Sequence, residues 1–183
     1  MDKRSEITLR PLTIEDTSNI VRWRNQPEVY KNLYTQDLIT EEQHTNYFHK
    51  YVETGLVRQY IIVADINGNK VDIGTVFLKG IDMVSHKAEY GLFIGELQAR
   101  GMGFACPIAS AALKIAFEEL GLNRVYLTVF ADNIPAIRSY EKAGFKKEGI
   151  LRQNFYDGEI YHDIVLMAVL RSDLAGLFDS RTY

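Results

Sequence analysis

Between Gln59 and Gly95, apolar and polar residues alternate in three runs, YIIVADI, VDIGTVFLKGI and AEYGLFIG, the pattern of β-strands with one buried face. Asn67-Gly68, inside the turn INGNK, is the residue pair of a tight hairpin, so the first two runs are expected to pair antiparallel. After LQARGMG the period changes. Ala105, Ile108, Ala109, Ala112, Leu113, Ala116, Phe117 and Leu120 recur at spacings of 3 and 4, which predicts a helix closed by Gly121. RVYLTVF returns to strand. Asp132 or Asn133 then caps a helix with Pro135 in its first turn and Gly144 at its end. Two final strands are expected, around FKKEGIL and from Tyr161 to Leu170.

Upstream, ITLRPL (Ile7 to Leu12) reads as a short strand. Thr13, with Asp16 three residues on, resembles a capping box; the helix it opens carries Ile20, Val21 and Trp23 and should stop before Pro27. A second helix is expected from Thr40, with Glu41, Glu42 and Gln43 in its first turn and Tyr47, Phe48 and Tyr51 turned to the core. The order β-α-α-β-β-β-α-β-α-β-β is that of a mixed α/β (α+β) layer fold. With no repeat, low-complexity tract or Pro/Gly/Ser-rich linker, residues 1–183 are expected to form one domain.

Composition narrows the function classes. A hydrophobic fraction of 46% and a charged fraction of 25% suit a soluble globular chain. The net charge of −3 supplies no basic field, so neither nucleic acid nor a membrane is an expected partner. Cys106 is the single cysteine and the four histidines lack zinc-ligand spacing, so neither an intrachain disulfide nor a metal is expected. MDKRSEITLRPL has no apolar signal core, which leaves the cytoplasm as the expected location.

Gly101 and Gly103 raise a chemical question. Glycine costs about 1 kcal/mol of helix stability relative to alanine, so a pair at a helix entrance suggests that the backbone itself is needed. The ring of Pro107 clashes with a carbonyl four residues back, so Gln98 to Gly103 must be loop and Phe104 to Pro107 the first turn. Such a loop aims N–H donors and the positive end of a helix dipole at one point, a pyrophosphate cradle to which Arg100 adds charge. The dinucleotide fingerprint fails because Cys106 stands where its third glycine belongs, and the Gly-Lys-Ser/Thr of a phosphate loop is absent.

Gln98-x-x-Gly101-x-Gly103 resembles the Q/R-x-x-G-x-G/A signature with which GCN5-related N-acetyltransferases (the GNAT family) bind the pyrophosphate of acetyl-coenzyme A. AEYGLFIG is similar to the family's fourth strand, and the stretch from Asn133 through Ala136 and Tyr140 to Gly144-Phe145 to its N-x-x-A-x-x-x-Y-x-x-x-G-F helix. The resemblance implies a mostly antiparallel central sheet flanked by helices. It also implies acetyl-CoA contacts at Leu92, Phe93, Ile94, Gln98, Ala99, Arg100, Gly101, Met102, Gly103, Phe104 and Asn133, with oxyanion-stabilising N–H groups near Phe93 and Ile94.

Roles in catalysis stay open at this stage. Tyr140 stands where the family keeps a general-acid tyrosine, the competing reading being a packed core aromatic. Glu89 is the base or one half of a cross-strand ion pair, and a water chain is a third route. His44 is the runner-up base or part of the substrate wall. Trp23, Arg24, Asn25 and Tyr34 are candidate acceptor contacts, Trp23 being equally a core anchor. The W-R-N stretch and I-T-x-x-x-H resemble amino-sugar N-acetyltransferases most, with ribosomal-protein N-terminal and spermidine acetyltransferases as alternatives and a non-catalytic acyl-CoA-binding module as the rival class. The expected partner is therefore a small-molecule amine or a peptide N-terminus. Relatives commonly pair through their last strands, which implies a homodimer or higher oligomer.

Overall fold

The computed structural model describes residues 7–174, so the reading of the extreme N-terminus lies outside the described residues. Seven strands form one sheet in the order β1-β2-β3-β4-β5-β7-β6. These are β1 (Ile7–Pro11), β2 (Arg58–Ile66), β3 (Asn69–Asp82), β4 (Lys87–Ile94), β5 (Arg124–Phe130), β6 (Lys146–Tyr156) and β7 (Tyr161–Leu170). Only β4 and β5 pair parallel; every other neighbour is antiparallel. Asn67 and Gly68 both have positive φ, 56° and 86°, which gives the β2–β3 hairpin a turn whose twist matches its strands.

Helices cover both faces. On one lie α1 (Thr17–Arg24), the single turn α2 (Pro27–Tyr30) and α3 (Glu41–Tyr47); on the other lie α4 (Ala105–Lys114) and α5 (Ile134–Lys142). The larger core sits under α4 and α5, where Ile108, Leu113 and Phe117 meet Val125, Leu127 and Met167. A smaller core of Leu12, Ile20, Trp23 and Ile61 holds α1 to the opposite face. Each such side chain contributes about 1.5–3 kcal/mol when fully buried.

Capping chemistry sets the helix starts. Asp16 Oδ2 accepts from the Thr13 N–H at 2.9 Å, and Arg10 grips the same carboxylate through two nitrogens, at 2.7 and 2.9 Å. Thr40 and Gln43 exchange the reciprocal bonds of a capping box at the start of α3. Pro27 both ends α1 and opens α2 as its first residue, a turn that the sequence reading omits. α3 and α4 each finish in a π-turn, at Phe48–Val52 and Ile115–Glu119. β6 extends five residues past FKKEGIL through an irregularity in which Gln153, at φ 51°, donates its N–H to Asp163 Oδ1.

Candidate active site

The sheet is forked at its centre. β4 and β5 stay paired only from Lys87↔Arg124 to Glu89↔Tyr126, and beyond that point they separate. A cavity of about 850 Å³ fills the fork and extends under α1 and α3. An extra residue in β3, Ile73, positions the end of β4, because its carbonyl accepts from the N–H groups of Gly95 and Glu96. Since Gly95 faces β3, alternation turns the main-chain groups of Ile94 and Leu92 to the open edge and those of Phe93 back to β3. Ile94 O is indeed taken on that edge, by Arg100 Nε at 3.0 Å and Nη2 at 2.9 Å. Of the two N–H groups expected to stabilise an oxyanion, only that of Ile94 faces the gap; Phe93 contributes its ring to the cavity wall.

The glycine loop borders the fork. Gly101 and Gly103 have φ values of 74° and 82°, and a Cβ on either would have no atom within 4 Å. Left-handed backbone, not crowding, is therefore what demands glycine here. The chain then enters α4 through Phe104, which caps nothing with its side chain, so the N–H groups of Ala105 and Cys106 meet no capping oxygen. Ala99, Arg100, Gly101, Gly103 and Phe104 stand in the cavity wall, while the exposed side chains of Gln98 and Met102 stand outside it. Asn133 caps α5 by accepting from Ala136 N–H and donates to Asn32 Oδ1 at 3.2 Å, tying α5 to the loop after α2.

Tyr140 reaches the fork from α5. Its ring packs edge-on against Tyr90 at 6.1 Å and Phe145 at 5.9 Å, and among the described residues its Oη has no hydrogen-bond partner. Burial pushes its pKa up to about 12. The ring packs against the core, and the residue also lines the cavity. Glu89, on the other face of β4, also lines the cavity, and Lys79 Nζ lies 3.2 Å from its Oε1. Cys106 is a small filler whose thiol donates to Lys142 O at 3.6 Å.

The candidate acceptor residues divide. Trp23 is corrected to a core role, being 1% exposed and outside the cavity wall, with Nε1 donating to Glu96 Oε1 at 2.7 Å. Its indole fills the space over Gly95, where a Cβ would fall 2.0 Å from Cγ. Asn25 also stands outside the wall and clamps Ile39, accepting from its N–H at 2.9 Å and donating to its carbonyl at 2.8 Å. Arg24 does line the cavity, with its guanidinium bound to the carbonyls of Thr35 and Asp37. Tyr34 lies 5.5 Å from both Phe130 and Phe155, over the mouth of the fork. His44 is buried under α1, Nδ1 3.0 Å from Thr17 Oγ1, and burial lowers its pKa.

Sequence reasoning misses Glu28, Tyr47, Gln59, Phe77, Lys79 and Thr128, all in the cavity wall. One signal was available. Gln59 shares its parity on β2 with buried Ile61, and Thr75 is likewise a polar residue on the core-facing side of β3. Polar side chains at core-facing positions ask for a partner.

Comparison with known proteins names the class. The acetyltransferase (GNAT) domain family matches residues 6–146. The chain belongs to that family and is an acetyl-CoA-dependent N-acetyltransferase. It is 27% identical over 168 residues to the spermidine N(1)-acetyltransferase of Vibrio cholerae, covering 92% of this chain and 95% of that protein. A crystal structure of the Vibrio cholerae spermidine N-acetyltransferase in complex with CoA and spermine superposes with a TM-score of 0.84 at 27% identity, over 92% of this chain and 98% of that one. A dodecameric structure of the same enzyme gives a TM-score of 0.78 at 26% identity, over 96% and 98% of the two chains.

The residues fit the co-substrate. The left-handed loop, the uncapped donors of α4 and the open edge of β4 follow one another along the fork, as a long molecule with an anionic end requires. Among the described residues there is no cluster of metal-ligating side chains, and no helix is long and apolar enough to cross a membrane.

Proposed function

We propose that this chain acetylates a primary amine of a polyamine, with Tyr140 as the proton donor and Glu89 as the group that orients the acceptor. Bound acetyl-CoA supplies the acetyl group as a thioester. The N–H groups of Gly101, Gly103 and the first turn of α4 hold its pyrophosphate, and the Ile94 N–H faces the thioester carbonyl. Tyr140 keeps its proton at Oη until a thiolate develops beside it. Glu89 attracts the acceptor's ammonium into the fork, and water carries the proton away from it.

The observation that carries the acceptor class is the wall of the cavity. Glu28 and Glu89 stand there with the rings of Tyr34, Phe77 and Phe130; of the cations in the same wall, Arg24 is held by two carbonyls, Arg100 by the Ile94 carbonyl, and Lys79 is paired with Glu89 itself. Carboxylates and ring faces suit a flexible alkyl cation. The relatives reported above are spermidine acetyltransferases, which supports this alternative over the amino-sugar acceptor that the W-R-N and I-T-x-x-x-H resemblance favoured. We also propose that residues 1–183 act as one domain and assemble into a homo-oligomer, as the dodecameric relative suggests. Mass spectrometry of spermidine incubated with the chain and acetyl-CoA tests the reading. One added acetyl group on a terminal nitrogen is expected, and unmodified spermidine refutes it.

A further inference from the structure

Three buried polar atoms on residues of the cavity wall lack partners among the described residues: Tyr90 Oη, on the face of β4 that packs against Tyr140, and two on the acceptor side, Gln59 Oε1 and His44 Nε2. Gln59 Nε2 donates to Thr75 Oγ1 at 3.1 Å, and Thr75 Oγ1 donates to the Tyr60 carbonyl at 2.8 Å. Thr75 has one hydroxyl proton, spent on Tyr60, so it can only accept from Gln59; this fixes the amide's orientation. Gln59 Oε1 is then an acceptor that no donor meets among the described residues, on a side chain only 8% exposed. His44, 4% exposed, has its Nδ1 against Thr17 and its Nε2 buried without a partner. Both residues stand in the cavity wall. Buried polar atoms ordinarily find partners; Gln59 Oε1 calls for a donor, and His44 Nε2 accepts one in the tautomer whose Nδ1–H donates to Thr17 Oγ1, so the two together point to a ligand that supplies donors.

Register places this pair. Gln59 is opposite Phe77, and Phe77 is opposite Gly91 on β4. The Phe77 ring lies flat across Gly91, where a Cβ would come within 2.4 Å of it, and so forms an apolar floor between Gln59 and the fork. Two strand spacings, about 10 Å, separate the strand of Gln59 from β4. Tyr47, whose ring is 6.1 Å from that of His44, closes the same end.

We propose that His44 and Gln59 form a distal subsite that accepts N–H hydrogen bonds from a second nitrogen of the acceptor, so that amines with two nitrogens a chain length apart are selected over monoamines. The inference rests on the polyamine reading above. Nitrogen is favoured over hydroxyl because an ammonium brings three donors, enough for Gln59 Oε1 and His44 Nε2 together, whereas a hydroxyl brings one. Burial keeps the His44 imidazole uncharged, so it accepts from an ammonium without repelling it. Phe77 gives the intervening methylenes an apolar surface.

The test is steady-state thiol release from acetyl-CoA by the full chain, with hexylamine, hexanediamine and aminohexanol as matched acceptors. The diamine should exceed the monoamine in kcat/KM by about tenfold, the scale of one hydrogen bond to a charged group. Gln59→Leu and His44→Gln should bring that ratio near one by raising the diamine KM more than they lower kcat. Gln59→Glu, which keeps the size of the side chain but gives up the donation to Thr75, should raise the ratio, and a thermal melt of each variant guards against simple misfolding. Ratios unchanged in all three variants, or an amino alcohol used as well as the diamine, overturn the subsite. Failure of the wild-type chain to acetylate any of these amines or spermidine overturns the polyamine reading and the subsite with it.

Discussion

Lys79 Nζ lies 3.2 Å from Glu89 Oε1, and the two residues stand directly opposite each other on β3 and β4. Their side chains are 44% and 25% exposed, so the pair is open to water and worth at most about 1 kcal/mol. An arriving ammonium therefore competes with Lys79 for the carboxylate and can displace it.

Lys79→Met should lower the KM for spermidine by about two- to fivefold, the reach of an exposed ion pair. Glu89→Gln should raise it. Steady-state kinetics with spermidine checks both. A higher KM in Lys79→Met means that the pair organises the site and does not compete with substrate.

Tyr140 is expected to act through its proton. Against a thiol of pKa about 8.5, a phenol at about 12 makes the transfer uphill by about 5 kcal/mol, unless the same burial also raises the thiol. General-acid help is usually worth about 10²–10⁴-fold, so Tyr140→Phe should cut kcat on the order of 100-fold and leave acetyl-CoA affinity near wild type. Acetyl donors with a more acidic leaving thiol should recover part of the loss. An unchanged kcat assigns the proton to water.

Alkaline stability follows from the same burial. Tyr140 and Tyr47 are both pushed up to about 12 from an ordinary value of 10. A phenol with a raised folded-state pKa favours the native state while protonated, fully below about pH 10, and that contribution is lost as pH rises toward 12. Thermal melts should therefore drop between pH 10 and 12, less steeply in Tyr140→Phe. A flat profile contradicts the burial.

Gly103→Ala tests the loop. The substituent meets no neighbouring atom, so its penalty is backbone strain of about 1–2 kcal/mol. Calorimetry should show acetyl-CoA affinity falling about tenfold or more while the melting temperature drops only modestly. Unchanged affinity removes the loop from the binding site.

How much of this the sequence discloses depends on the range of the interaction. Thr13 with Asp16, Thr40 with Gln43, and Asn67-Gly68 act within a few residues, and each forms the cap or turn read from its spacing. The phases of β4 and α5 likewise bring Glu89 and Tyr140 to the cavity wall. What the sequence hides is pairing at a distance. Nothing local says that β4 and β5 part after Glu89, or that an extra residue at Ile73 steers Gly95 and so turns Ile94, not Phe93, to the gap. The W-R-N resemblance leaves Trp23 open as acceptor contact or core anchor; its indole fills the space left by Gly95, 72 positions later in the chain, which no local pattern announces.

The most direct measurement is a competition in which one preparation of the wild-type chain, with acetyl-CoA, meets spermidine, a nucleotide-linked amino sugar and a ribosomal-protein N-terminal peptide under one condition. The fork, with its two carboxylates and aromatic walls, predicts the highest kcat/KM for spermidine, by at least tenfold. A higher kcat/KM for the nucleotide sugar or the peptide, or thiol release no faster than hydrolysis with spermidine present, contradicts it.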